Sequence, residues 1–203
     1  MINNKKVIEI LHNISLKINE QKDYLTMLDN EIGDGDHGIN LARGFVEVDK
    51  KLESISDKDI GTILKTTGMT LVSTVGGASG PLYGTAFMYA GKQVGDKSEI
   101  DINDFKDILK VAIDGVKVRG KAEQGEKTML DAMIPAYNSM SEEQDAKVAL
   151  LKGVDAAKKG VEYTKTIIAT KGRASYLGER SLGHQDPGAT SFTFMLEVIA
   201  ESL

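Results

Sequence analysis

The sequence predicts an all-α fold, and three observations carry that prediction. Apolar residues recur at spacings of three and four along most of the chain, the period of a helix with one buried face. Alternating apolar–polar runs, the mark of a half-buried strand, are absent, and β-branched residues sit at helical spacing. The connections between periodic segments are short, which makes successive helices antiparallel neighbours in a bundle. The 203 residues suffice for one sizeable core, so a single domain spanning 1–203 is expected.

Val7, Ile8, Leu11, Ile14 and Ile18 mark the first helix, and a shorter piece carrying Tyr24, Leu25 and Leu28 stops at Asp29. Leu41, Phe45, Val48 and Leu52 define the next. The pattern from Ile60 to Val75 runs into Gly76-Gly77-Ala78-Ser79-Gly80. Pro81 is expected to open a helix holding Leu82, Phe87 and Met88, because proline suits a first helical position. Phe105, Ile108, Leu109, Ala112, Ile113 and Val116 follow, with Asp101 or Asn103 as N-cap. Met129–Met140 is a further helix, kinked or started at Pro135, and Ala146–Ile168 is a long one. The last begins at Asp186-Pro187-Gly188, aspartate at the cap and proline just inside, and runs to the C-terminus. The total is about eight helices and no strand.

Composition removes several function classes. A net charge of −5 and the absence of Trp argue against a nucleic-acid surface or a base-stacking platform. Without cysteine there is no disulfide, thiolate zinc site or iron–sulfur cluster. Met1–Lys6 lacks the apolar run of a signal peptide, and no stretch approaches the ~20 apolar residues of a membrane span. A cytoplasmic protein with no membrane or nucleic-acid partner is expected. The methionines fall at helical spacing and are expected in the core; His12 is expected on a helix surface.

Three interruptions are too long, too glycine-rich or too charged for plain turns. In the first, Asp29 to Asn40, four carboxylates lie within eight residues and repel one another unless a cation neutralises them. Glycines at 33, 35 and 38 allow Asp29, Asp34 and Asp36 to converge, and oxygen-only ligands suit Mg²⁺ or Ca²⁺. Gly33-x-Gly35-x-x-Gly38 matches the dinucleotide fingerprint by letters but follows a helix, not a strand. An EF-hand counted from Asp34 would need Glu where Phe45 stands. The plain alternative is an acidic solvated turn.

The second interruption, Gly76 to Gly84, is a small-residue loop opening a helix. Its free backbone N–H groups and the helix dipole make a phosphate cradle; a close-packed turn is the alternative. No Walker lysine follows. The third, Lys171 to Ala189, holds two of the chain's four arginines, Arg173 and Arg180. Arginine suits bidentate recognition of phosphate oxygens and stabilisation of a transferring phosphoryl group. Pairing with surface carboxylates is the other reading, and His184 is expected to orient this loop. Together the parts describe a Mg²⁺–nucleotide site without a base to activate an acceptor hydroxyl; His37 is the only neutral-pH candidate.

Four stretches carry a family resemblance: Asp29-x-Glu31-Ile32-Gly33-Asp34-Gly35-Asp36-His37-Gly38, Gly76 to Gly84, Lys127-Thr128-Met129-Leu130-Asp131, and Gly172 to Ala189. They resemble the nucleotide-binding L subunits of dihydroxyacetone kinases over essentially the whole chain. The resemblance implies a barrel-like, up-and-down antiparallel bundle with a nucleotide site at one end, where ADP is tightly held by two Mg²⁺ ions. It implies Asp29, Asp34 and Asp36 as metal ligands. It implies that His37, Gly38, Ile39, Asn40, Ala78, Ser79, Gly120, Thr128, Met129, Arg173, Asp186, Pro187 and Gly188 contact the nucleotide, with Arg173 also catalytic. It further implies two partners, a phosphohistidine-bearing M subunit that phosphorylates the bound ADP and a K subunit that holds dihydroxyacetone. Two other readings remain open, an ATP-turnover kinase module with a separate substrate subunit and a nucleotide-state sensor docking on a transcription regulator.

Overall fold

The computed structural model describes residues Met1–Leu203 and contains nine α-helices: α1 (Asn4–Glu20), α2 (Lys22–Ile32), α3 (His37–Leu52), α4 (Ile60–Thr74), α5 (Ser79–Val94), α6 (Ile102–Gly120), α7 (Leu130–Met140), α8 (Ala146–Thr164) and α9 (Pro187–Glu201). α1 and α2 follow one another with a turn at Gln21, and both pack along α3, so the pair acts as one rod. Eight rods result. Each packs on its sequence neighbours, and α9 returns to α1 and α2, which closes the ring into a barrel.

One apolar core fills the ring, with Ile18, Leu25, Leu41, Phe45, Leu71, Leu130 and Leu196 fully buried. The tightest wall is α4 against α5, where Gly61, Gly68, Gly84 and Gly91 let the two backbones touch: a Cβ on Gly61 would fall 1.9 Å from the Gly95 carbonyl. Inside the barrel lies a cavity of ≈160 Å³ lined only by apolar side chains, among them Ile2, Ile100, Tyr83 and Met129.

The structure corrects several expectations. A two-residue antiparallel ladder, β1 (Ile2–Asn3) on β2 (Glu99–Ile100), ties the start of α1 to the α5–α6 connection. It is too short to leave a period-two trace in sequence. α2 runs past Asp29 to Ile32, α3 starts already at His37, and α8 stops at Thr164, four residues before Ile168. α5 begins at Ser79, which places Pro81 in the first turn; Pro135 lies inside α7. α6 is opened by Asp101, whose carboxylate and that of Asp104 form a capping box. Of the methionines, 129, 133, 140 and 195 are in the core, while Met1, Met27 and Met69 are exposed. His12 lies on the surface and pairs with Asp49 at 2.7 Å.

Up-and-down order puts the α2–α3, α4–α5, α6–α7 and α8–α9 connections at one end of the barrel. The three suspect loops are three of those four.

Candidate functional site

The acidic loop folds back on the last turn of α2. One carboxylate oxygen of Asp29 accepts the backbone N–H groups of Asp36 (2.9 Å) and His37 (3.1 Å), which turns the chain into α3. Gly35 makes the reversal at φ +73°, and a Cβ there would lie 2.0 Å from Asn30 Oδ1. The result brings one carboxylate oxygen each from Asp29, Asp34 and Asp36 within 4.8 Å of one another. Three converging carboxylates, with no nitrogen or sulfur donor, fit a hard divalent cation such as Mg²⁺. The Arg173 guanidinium stands beside them, 2.9 Å from Asp34 Oδ2.

His37 opens α3 and is buried. Its Nδ1 meets Ser79 Oγ at 2.8 Å and its Nε2 meets Ser191 Oγ at 2.9 Å. Ser191 in turn bonds the Tyr83 hydroxyl at 2.7 Å and donates to the Gly188 carbonyl at 3.1 Å. Burial drives the imidazole from its ordinary 6.5 down to about 4, against the pull of the Asp29 carboxylate, so the ring is neutral at pH 7. Burial also holds the Tyr83 phenol well above its ordinary value. Both ring nitrogens of His37 are engaged, which leaves no lone pair to activate an incoming hydroxyl.

Asp186 caps α9 by accepting the Ala189 N–H at 2.7 Å, while its own N–H donates to Thr164 Oγ1 at 2.9 Å. Burial raises its carboxyl to about 7, and the charges of Asp131 and Asp29 push the same way. The α8–α9 connection is an ordered structure, with helical turns over Arg173–Ser181 and Ala174 packed on Ile32 and Ala169. His184 ties it to α2 through Glu31 at 3.0 Å, the orienting contact expected from sequence.

These pieces meet in one cleft of ≈480 Å³ at the open end of the barrel. Asp29, Asp34, Asp36, His37, Ala78, Ser79, Gly120, Thr128, Met129, Arg173, Asp186, Pro187 and Gly188 all line it. Gly38, Ile39 and Asn40 do not. Gly38 faces α2, where a Cβ would fall 2.0 Å from the Lys22 carbonyl. Ile39 points outward at 50% exposure, and Asn40 is buried, accepting from Arg43 at 2.7 Å. Arg180 is exposed with no carboxylate in ion-pair reach. Tyr83 and Met129 line both the cleft and the apolar cavity beneath it.

Sequence reading assigned no role to Lys127, Arg119 or Lys171, which also line the cleft. Arg119 sits beside Gly120 in the last turn of α6 without an acidic partner, a cation free to meet an anion. Four helices, α3, α5, α7 and α9, start at this cleft, so their dipoles present positive potential to it. A wall of carboxylates opposite helix N-termini and arginines can hold a cation-bridged polyphosphate.

The class of protein follows from comparison with known families. The DAK2 domain model matches residues 31–201, and the chain belongs to that family. Within it, the chain falls among the ADP-binding subunits of phosphoenolpyruvate-dependent dihydroxyacetone kinases. It is 51% identical to the Escherichia coli protein named "PEP-dependent dihydroxyacetone kinase, ADP-binding subunit DhaL", over 89% of this chain and 88% of that one. It is 43% identical to the Lactococcus lactis "PTS-dependent dihydroxyacetone kinase, ADP-binding subunit DhaL", over 96% and 95%. The fold matches the crystal structure of the C. freundii dihydroxyacetone kinase in complex with AMP-PNP and Mg²⁺, with a TM-score of 0.76 and 26% identity over 97% of this chain and 34% of that one. No helix here is long and apolar enough to cross a membrane.

Proposed function

We propose that this chain is the ADP-carrying subunit of a phosphoenolpyruvate-dependent dihydroxyacetone kinase. In this reading the held nucleotide receives a phosphoryl group from a phosphohistidine on an M subunit and passes it to dihydroxyacetone bound on a K subunit, yielding dihydroxyacetone phosphate. The observation that carries the proposal is the convergence of three carboxylates, four helix N-termini and Arg173 on one cleft. Relatives named as ADP-binding subunits support it.

Asp29, Asp34 and Asp36 would hold Mg²⁺, two ions in this reading, and the metal would supply neutralising charge and a bridge to phosphate oxygens. The N–H groups at the start of α5, beside Ala78 and Ser79, bind a phosphate and orient it. Thr128, Met129 and Gly120 flank the remainder of the nucleotide, and Asp186, Pro187 and Gly188 close the far side. Arg173 leaves Asp34 to meet charge on the transferring phosphoryl group. His37, neutral and doubly hydrogen-bonded, positions Ser79 and takes no proton. The lack of a free base agrees with acceptor chemistry located on another chain.

Native mass spectrometry of protein purified without added nucleotide tests this reading. Retained ADP with magnesium is expected, and a stable protein without nucleotide would defeat it. Adding the K subunit, dihydroxyacetone and ATP, with no phosphohistidine donor, should give at most one turnover; repeated turnover would replace the proposal with a kinase that exchanges free ATP.

A further inference from the structure

Lys127 is one of the least exposed side chains in the protein, at 1%, and it is charged. Its backbone is left-handed at φ +62°, unusual for a residue with a Cβ. The hairpin that presents it is cinched by Asp131, itself fully buried, whose carboxylate accepts the N–H groups of Gly125 (2.5 Å) and Thr128 (2.9 Å). From there the ammonium meets the carbonyls of Thr164, Ser181 and His184, each at 2.6 Å, with Ile167 at 3.3 Å.

An ammonium has three N–H groups, and four carbonyls occupy them. Although the side chain lines the cleft, no proton is left for a phosphate oxygen, so this is not a phosphate-binding lysine. The acceptors lie instead at the end of α8, in the chain that follows it, at the end of the Arg173–Ser181 turns and just before Asp186. Those points bracket the segment that carries Arg173 into the cleft, and the last of them leads directly into Asp186. A buried cation without a carboxylate in contact is expensive unless saturated by dipoles, which is what this arrangement provides.

We propose that Lys127 is a positioning residue: by gathering the carbonyls of Thr164, Ile167, Ser181 and His184, its ammonium fixes the 165–186 segment so that Arg173 and Asp186 face the cleft. The consequence for nucleotide binding rests on the function proposed above; the ordering of the segment does not. Apart from the lysine, the segment is tied to the barrel by Ala174 on Ile32, His184 on Glu31 and Arg173 on Asp34 and has no deep core of its own, so it can be loosened without unfolding the barrel.

The test uses the full chain with Lys127→Met, which keeps volume and loses the charge, and Lys127→Gln, which keeps two N–H donors. Amide hydrogen exchange of residues 166–185 is compared with that of α4 and α5, and Mg²⁺–ADP affinity is measured by calorimetry. In Lys127→Met the segment should exchange about ten-fold faster or more while α4 and α5 keep their protection, and affinity should fall about ten- to a hundred-fold, as for other residues that act by orienting a binding group. Lys127→Gln should lie between it and the natural protein. Unchanged protection of 166–185, protection lost equally in α4 and α5, or failure of both variants to fold would each overturn the proposal. If the natural protein, stripped of any retained nucleotide, takes up no Mg²⁺–ADP, the functional reading fails, while the exchange comparison still decides the role of Lys127.

Discussion

The two ends of the barrel finish their helices differently. At the end away from the cleft, α1, α4, α6 and α8 begin at Asn3, Asp59, Asp101 and Asp145, and each of these side chains accepts an N–H from the first turn. At the cleft, α3, α5 and α7 begin at Asp36, Ala78 and Met129, whose own side chains cap nothing. Asp29 and Thr128 take the first N–H groups of α3 and α7 from outside. Only α9 is capped by its own N-cap residue, Asp186. The backbone explains the difference. The four capped starts are extended, with ψ of 176, 158, −172 and 120°, so a short side chain can swing over the first turn. The three uncapped starts are in the α region, with ψ of −8, −26 and −22°, where it cannot. Forgoing a cap costs roughly 0.5–2 kcal/mol per helix. Of the cleft starts, α5 alone keeps its first donors available: no acceptor takes the N–H groups of Ser79 and Gly80, whereas His37 N–H goes to Asp29 and Leu130 N–H to Thr128 Oγ1.

The contrast can be broken most directly with an aspartate from the cleft. Asp36→Ala should lower Mg²⁺–ADP affinity about a hundred-fold or more, because charge count sets the strength of an oxygen-ligand site. The melting temperature of the nucleotide-free protein should hold or rise, since a like-charge repulsion is removed. Calorimetry and thermal denaturation check the two halves, and a variant that loses both would make the acidic cluster a structural element like the far-end caps.

An intermediate effect is expected from pH. The folded His37 is held near 4 against 6.5 when unfolded, so as pH falls from about 6.5 toward 4 the unfolded chain binds the proton first and stability is lost. Its full size is about 3 kcal/mol across that window. Asp186 acts with the opposite sign: with its carboxyl raised to about 7, its contribution erodes as pH rises from 3.8 to 7. The two therefore oppose one another in mildly acid solution. Urea denaturation of the natural protein and of His37→Gln at several pH values isolates the first: the variant should lose stability less steeply on acidification. Equal slopes would show that the histidine is not buried as a neutral ring.

The smallest effect belongs to the far end. Asp59 accepts the N–H and the hydroxyl of Thr62, at 2.7 and 2.8 Å. Asp59→Ala should cost about 1 kcal/mol in urea denaturation and leave Mg²⁺–ADP affinity unchanged, the reverse of Asp36→Ala.

How legible each end was in sequence follows the same division. The acidic loop could be read because glycines and carboxylates alternate where a helix should have continued, and Asp186-Pro187-Gly188 because cap and proline are local signals. Asn40 and Ile39 were carried to the cleft by motif, yet α3 is already a helix at His37, and its rotation sends those two side chains elsewhere. The early end of α8 has a long-range cause: the carbonyls of Thr164 and Ile167, in reach of helix continuation, point instead at Lys127, 37 and 40 residues earlier. No local pattern announces such a contact. Lys127 stood inside a motif, but a lysine bound only to carbonyls leaves no acidic partner in the sequence to betray it. Ser191 and Tyr83 were invisible for a similar reason, joined to His37 across 154 and, through Ser191, 108 residues.

The ring also decides where attachments can go. Asn3 opens α1 at the end closed by the short ladder, and α9 leads away from Pro187 for 15 residues, about 22 Å, to the same end. A tether or fluorophore attached near Asn3 or at the end of α9 would therefore sit at the end of the barrel opposite the cleft.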